Sequence, residues 1–351
     1  MKKVKRITFA MLLVLTMFLA ACGGAEKTGS SSDAKSEGTN SEQVEQKDAA
    51  AAVEHPKFLT VAGATSGGTY FLLANALAQL FGNEFPDIDT NAQSTPGSPV
   101  ILENINKGDA ELGIAQAGVA DDAYNGKGQF EGKSMENIRQ LTYFFPNVMQ
   151  FVVRKDAGID SIEGIAGKTV AVGAAGSATE LNMQDLIAAI GLTYDDIKAE
   201  YVSEAQSVEL LRNRQADAAN MIASLGSAAM LDILSTGEYE VIEIPEEIVK
   251  QLSEEVNQAY YPFTIPANTY PNQPEPVETF AVANWLHVSS ELSDEFVYEL
   301  LETIYDNLDF LVNTHKVAEN ISLENALDGQ TIPLHDGAIK FYEDKGIEVK
   351  N

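Results

Sequence analysis

The tightest constraint on the fold is a layout that the chain uses twice. Phe58 to Ala64 reads as a strand, followed by the turn Thr65-Ser66-Gly67-Gly68-Thr69 and a helix with Leu73, Leu77, Leu80 and Phe81 on one face. Lys168 to Ala175 reads as another strand, followed by Gly176-Ser177-Ala178-Thr179 and a helix carrying Leu181, Leu186, Ile187 and Ile190. Downstream, Lys107-Gly108-Asp109-Ala110 leads into Leu112 to Gly118, and Gln215-Ala216-Asp217-Ala218 leads into Asn220 to Gly226. Thr60 precedes Asp109 by 49 positions and Thr169 precedes Asp217 by 48, while Asp109 to Gln116 and Asp217 to Ser224 each span 7. Strands alternating with helices at a spacing held this closely predict an α/β fold in which one βα layout builds two lobes.

Two lobes need connections. Met149 to Arg154 reads as a strand crossing from lobe one to lobe two, and Thr279 to Val288 as one crossing back. Helical runs from Asp294 to Val312 and from Val317 to Leu327 are expected to return onto lobe one. Lobe one is then residues 57–150 with 286–351, and lobe two residues 151–285. A double crossing of this kind lets two lobes close on a ligand by hinge motion.

The amino terminus adds a second expectation. Lys2, Lys3, Lys5 and Arg6 precede an apolar stretch from Ile7 to Leu19, the pattern of a secretion signal and too short to span a bilayer comfortably. It ends in Leu19-Ala20-Ala21-Cys22, which resembles the lipobox of bacterial lipoproteins. Residues 1–21 are therefore expected to be a signal peptide and Cys22, the single Cys of 351 residues, the lipidation site, with localisation outside the cytoplasm on the cell membrane. Residues 22–56, polar and nearly without apolar side chains, read as a disordered tether with a mean reach of roughly 30–35 Å.

The formal charge is −29, and removing the four basic residues of the signal brings it to −33. Such a surface repels nucleic acid and anionic headgroups, so an anion site here must depend on local groups. Each repeat supplies one, because a Gly/Ser/Thr turn opens a helix directly after a strand. Helix N-termini present unpaired N–H groups and about half a positive charge, and bind carboxylate or phosphate without a basic side chain. Ser66, Gly67, Gly68, Thr69 and Tyr70 are the candidate ligand residues of lobe one, with Ser177, Thr179 and Glu180 in lobe two, the last as an acceptor for an ammonium group. Gln116 and Ser224 end the paired strands, and Ser94 and Thr95 form a further polar loop; Tyr143 is an alternative to Tyr70 as an aromatic wall. The expected partner is a small anionic or zwitterionic metabolite.

Nothing points to catalysis. The chain lacks a phosphate-binding G-x-x-x-x-G-K-[ST], a G-x-S-x-G elbow and an H-E-x-x-H pair, and its four histidines, His55, His287, His315 and His335, are scattered. Asp121 and Asp122 read as adjacent, solvated helix residues. No metal site and no cofactor is expected.

The motif order resembles the TAXI-type solute receptors of tripartite ATP-independent periplasmic (TRAP) transporters. The residues that carry this are the turn Ser66 to Tyr70, Gly108-Asp109-Ala110-Glu111-Leu112-Gly113, Gly167 to Gly173 followed by Gly176-Ser177, and Gly191 to Ile197. Ile265-Pro266-Ala267 with Tyr270, and Ile332-Pro333-Leu334-His335 before Gly337-Ala338, complete it from Phe58 to Ile347. Two departures are Asp336, where the family often has a second proline, and Ser224-Leu225-Gly226, without the proline usual after that glycine. The resemblance implies a type II periplasmic-binding-protein fold, a glutamate-, glutamine- or 2-oxoglutarate-like cargo, and delivery to the membrane permease subunits of a TRAP transporter. On the residues alone, the binding component of an ABC importer, a ligand sensor, or a secreted transferase on the same scaffold stay open.

Overall fold

The structure is a computed structural model that describes residues 53, 55–66 and 68–349. The signal, Cys22 and the tether expected at 22–56, apart from its last residues, lie outside the described residues, as does Gly67.

The doubled layout is present as two βαβαβα runs. The first is β1 (Phe58–Gly63), α1 (Thr69–Glu84), β2 (Asp89–Ser94), α2 (Ser98–Lys107), β3 (Leu112–Gln116) and α3 (Ala117–Asn125), and it leads into the long strand β4 (Ile138–Arg154). The second is β5 (Thr169–Ala171), α4 (Ala178–Ala189), β6 (Lys198–Glu200), α5 (Glu204–Arg212), β7 (Ala218–Ala223) and α6 (Ala228–Ser235). After β8 (Tyr239–Ile242), α7 (Glu246–Gln251) and β9 (Tyr260–Ile265), the long strand β10 (Val277–Ser289) returns, and α8 (Asp294–Asp306), α9 (Leu308–Thr314) and α10 (Asp336–Asp344) finish the chain.

Strand order shows how the halves exchange. The sheet runs β2-β1-β3-β10-β4-β7-β5-β6, so each half contributes second, first and third strands in that order and then borrows a long strand from across the chain. β10 pairs antiparallel with β3, β4 pairs antiparallel with β7, and β4 and β10 pair with each other from Ala281/Val148 to Ser289/Ile138. Two cores result on the two sides of this seam. One gathers Leu59, Leu73, Phe81, Leu112 and Trp285 with the α8 face Phe296, Leu300 and Leu301. The other gathers Phe151, Ile162, Val170, Met183, Leu186 and Phe280, with a further cluster around Val208, Leu211 and Met230 on the opposite face of β7. The chain adopts the expected two-lobed α/β fold of the type II kind.

Several elements differ from the sequence reading. The crossing strand expected at Met149–Arg154 is the far half of β4, which begins at Ile138. Its near half was hidden because Gln140, Thr142 and Asn147 interrupt the apolar pattern, yet all three are buried and bonded: Gln140 Oε1, for instance, accepts from the Thr331 and Ile332 N–H groups at 3.0 and 3.1 Å. The run from Asp294 to Val312 breaks at Asn307 into α8 and α9. The run from Val317 to Leu327 is a short 3-10 turn at Lys316–Asn320 followed by a loop, in which Ser322 N–H and Oγ both donate to Asn325 Oδ1 and compete with a helix. The strand expected at Lys168–Ala175 shortens to Thr169–Ala171. Asp121, expected in solvent, is buried on α3, where it accepts from Asn125 Nδ2 and Lys127 Nζ.

His287 on β10 is fully buried, with Nδ1 against the Trp285 carbonyl at 3.1 Å, and burial pushes its pKa from 6.5 down to about 3. The unfolded chain takes up a proton near 6.5 and the folded chain does not, so this residue costs no stability above pH 6.5 and lowers it as pH falls toward 3. The slope is about 1.4 kcal/mol per pH unit. The His287 ring resonance is expected to keep its neutral position down to pH 5; a shift with a midpoint near 6.5 would refute this burial.

Candidate functional site

The carboxyl ends of β1, β3, β5 and β7 point to one cavity, at the place where strand order reverses within each half. It has a volume of about 140 Å³ and draws walls from both halves. Gly68, Thr69, Tyr70, Gly97, Ser98, Gln116 and Asn147 line it from one side, and Gly173, Ser177, Thr179, Glu204, Asn220 and Ser224 from the other. The halves meet at its rim, since a Cβ placed on Gly97 would lie 3.7 Å from that of Ser177.

Five helices begin at this cavity, and they begin differently. The N-caps of α1, α2 and α3 are Gly68, Gly97 and Gln116, and none makes a side-chain capping bond. The N-caps of α4 and α5 are Ser177, whose Oγ accepts from the Glu180 N–H at 3.2 Å, and Ser203, which forms a reciprocal box with Gln206. The second half therefore gives one first-turn N–H of each of α4 and α5 a side-chain acceptor, while the first half gives none; α1 keeps the Thr69 and Tyr70 N–H groups and α2, with Pro99 in its first turn and the Val100 N–H on the Gly97 carbonyl, keeps that of Ser98. The described lining contains no Lys, Arg or His. The positive potential here is that of backbone dipoles.

Glycine has specific work in this geometry. Gly97 sits at φ 144, ψ −164, a conformation closed to residues with a Cβ, and this lets α2 start against the opposite half. Ser98 follows as the first residue of α2, where its Oγ accepts from the Gln116 N–H at 3.1 Å. Tyr70 fixes the floor: its hydroxyl donates to Asn284 Oδ1 and accepts from Asn147 Nδ2 at 3.2 Å, tying α1 to both long strands. Burial pushes that hydroxyl far above its ordinary range, so it stays neutral.

The second half offers acceptors. Asn220 is buried on β7, with Nδ2 donating to the Thr179 and Val172 carbonyls at 2.8 and 3.2 Å, and its Oδ1 has no partner among the described residues. Glu204 opens α5 at the rim, its Oε1 accepting from Ser227 Oγ at 3.1 Å. A ligand anion on the N-termini of the first half would meet acceptors for its own N–H or O–H groups on the second.

Of the residues singled out in the sequence, Gly68, Thr69, Tyr70, Gln116, Ser177, Thr179 and Ser224 line the cavity. Ser66, Ser94, Thr95, Tyr143 and Glu180 do not. Ser66 is exposed in the turn before α1, Ser94 Oγ donates to the Ala64 carbonyl at 3.0 Å, and Thr95 Oγ1 holds the next turn by donating to the Gly63 carbonyl at 2.9 Å. Glu180 is buried outside the cavity lining, with its Oε1 accepting from Tyr194 Oη at 2.8 Å. The polar loop running from Gln93 to Ser98 does form part of the wall, but through Gly97 and Ser98 rather than Ser94 and Thr95, and Asn147, Glu204 and Asn220 were not singled out in the sequence. Pro99, in the first turn of α2, is the signal that a helix starts at Ser98 rather than earlier in the loop.

The sequence matches the NMT1-like family over residues 61–346. Among solved structures, the chain is similar to the periplasmic aliphatic sulphonate binding protein SsuA from Escherichia coli, with 16% identity, 83% of this chain and 84% of that one covered, and a TM-score of 0.46. It is similar to the alkanesulfonate-binding protein SsuA from Xanthomonas axonopodis pv. citri bound to MOPS, with 16% identity, coverage of 84% and 81%, and a TM-score of 0.44. A putative L-cystine ABC transporter from Listeria monocytogenes is similar at 13% identity, with coverage of 76% and 99% and a TM-score of 0.45.

Proposed function

This chain belongs to the NMT1-like family, and we propose that it is an extracytoplasmic solute receptor that holds a small carboxylate or amino acid between its lobes and passes it, chemically unchanged, to a membrane permease. The observation that carries this is the meeting of the α1 and α2 N-termini, neither with a side-chain cap, and of Gln116, the N-cap of α3, at a cavity whose described lining has no cationic side chain. Helix N-termini without side-chain caps in the wall of a cavity suit an anion. Asn220 Oδ1 and Glu204 favour a cargo with donors of its own, as a zwitterion has. A cavity of about 140 Å³ is close to the roughly 150 Å³ that accommodates benzene, which favours a small cargo over a sugar or peptide; glutamate, glutamine and 2-oxoglutarate are larger than benzene and need the lobes to part slightly around them.

Charge-assisted hydrogen bonds contribute about 1.5–3 kcal/mol each, so four or five reach micromolar affinity, near −8 kcal/mol, after association costs. The motif order from Ser66 to Ala338 favours a permease of the TRAP type, and the segment ending at Cys22 favours a lipid anchor that keeps the receptor beside it. Among the described residues no helix is long and apolar enough to cross a membrane.

A thermal panel of small acids and amino acids tests the receptor reading. The cargo, at a hundred times its dissociation constant, is expected to stabilise the full chain by about 2.7 kcal/mol and raise its Tm by about 5–10 °C. No response across the panel sinks it. Capture of membrane subunits by the loaded receptor tests the permease type: partners without an ATPase support the TRAP reading, and an ATPase among them moves the receptor to an ATP-driven importer.

A further inference from the structure

The geometry points to a second binding site, for a hard cation with calcium as its expected occupant, in a cavity between α3 and α4 that lies on the other side of Gln116 from the solute cavity. This cavity has a volume of about 100 Å³, and Asp122, Asn182, Asp185, Asn257 and Tyr260 line it together with Gln116. Asp122 is on α3, whose Val119, Ala120 and Ala123 belong to the first core. Asn182 and Asp185 are on α4, whose Met183 and Leu186 belong to the second. The site therefore joins the two halves, independently of what the solute cavity holds.

The donors are arranged before any ion arrives. Asn182 and Asp185 are three positions apart on one helix and share a face. Tyr260 Oη links them, donating to Asp185 Oδ2 at 2.5 Å and accepting from Asn182 Nδ2 at 2.8 Å. This fixes the amide so that Asn182 Oδ1 is the free end. The side chain is only 4% exposed, and that oxygen has no partner among the described residues. Across the cavity Asn257 Nδ2 holds Asp122 Oδ1 at 3.3 Å, with its own Oδ1 taken by the Ala259 N–H.

A buried carbonyl oxygen without a donor and two facing carboxylates call for the same thing, a positive charge. The protein pairs none with them: among the described residues neither Asp122 nor Asp185 has a salt-bridge partner, and the nearby Lys127 ammonium pairs with Asp121 at 3.1 Å and acts on Asp122 only through space. Two carboxylates lining one cavity repel each other, and a bound cation would remove that repulsion. The donor atoms are all oxygen, from carboxylate, amide and phenol, which suits an alkaline-earth ion rather than zinc or copper. The irregular set and the room for about three waters at about 30 Å³ each suit calcium, which tolerates six to eight oxygens, better than magnesium.

The test titrates calcium into the chelator-treated full chain of the wild type and of Asp122→Asn and Asp185→Asn, reading Tm. The wild type is expected to show a saturable rise with half-effect between about 0.1 and 1 mM, the range of extracellular calcium modules. The two variants, which lose one of two repelling carboxylates, are expected to match or exceed the wild-type Tm without calcium and to show no rise. Terbium emission sensitised by tyrosine, displaced by calcium and lost in Tyr260→Phe, places the ion without relying on the carboxylate variants. No wild-type response to calcium up to about 10 mM, an equal rise in both Asn variants, or terbium emission unchanged in Tyr260→Phe would each overturn the proposal.

Discussion

Gly68→Asp is expected to abolish cargo binding while leaving the fold as stable as before. Gly68 is the N-cap of α1 at φ −81, ψ 159, a conformation open to any residue, and a Cβ there stands 3.3 Å from the Thr65 carbonyl, a tight contact that the turn relieves by yielding a few tenths of an ångström. Asp is among the best N-caps and improves on Gly by a few tenths of a kcal/mol, so the Tm should hold or rise slightly. Its carboxylate would then accept from the first turn of α1 and occupy the seat assigned to the cargo anion. Two like charges about 4 Å apart at an effective dielectric of about 20 repel by about 4 kcal/mol, which is about a thousandfold in affinity. Gly68→Asn, which caps without charge, should lose only about tenfold. Calorimetric titration with the acid found in the thermal panel reads the difference. If Gly68→Asp binds within threefold of the wild type, the anion does not sit on α1.

That experiment rests on a feature the sequence shows only in part. The spacing between Thr60, Asp109 and Gln116, and again between Thr169, Asp217 and Ser224, was enough to read two α/β halves, because strand-turn-helix periodicity is local and each half states it in full. The turns before α1 and α4 were legible for the same reason. What differs between them was not: Ser66 and Ser177 look alike in sequence, yet Ser177 caps its helix and Ser66 lies exposed in a turn whose helix is capped by Gly68. Asn147, Asn220 and Glu204 were illegible because their role comes from contacts across the sheet. Asn220 is a polar residue in an apolar strand, and only the carbonyls of Val172 and Thr179 show which of its atoms is spent and which is left. Glu180 misled for the converse reason, since its carboxylate lies outside the cavity lining and Tyr194, 14 residues away, donates to its Oε1.

The same comparison of halves identifies how the N-termini are held in place, and gives the largest expected loss of stability. Each half sets its first helix directly on the end of its first strand with a glycine between. A Cβ on Gly63 would stand 2.7 Å from Phe71 Cα and 2.9 Å from the Tyr70 carbonyl, which are backbone atoms of the first turn of α1. A Cβ on Gly173 would stand 2.9 Å from the Glu180 nitrogen in α4, at φ 109. Backbone cannot rotate out of the way, so the helix must move. Gly63→Ala is expected to cost about 1–3 kcal/mol through overpacking. Gly173→Ala adds about 1–3 kcal/mol for its backbone conformation. At about 2–4 °C per kcal/mol, both should melt several degrees low. Their effects on cargo should part, because α1 supplies an uncapped seat and α4 is capped by Ser177: Gly63→Ala should weaken binding at least tenfold and Gly173→Ala less. Gly167→Ala is the control, with φ 77 and nothing within 4 Å of its Cβ. It should lose about 1–2 kcal/mol of stability and no affinity. Equal cargo affinity for Gly63→Ala and Gly167→Ala, measured where both are folded, would mean that the position of α1 does not set the strength of the site.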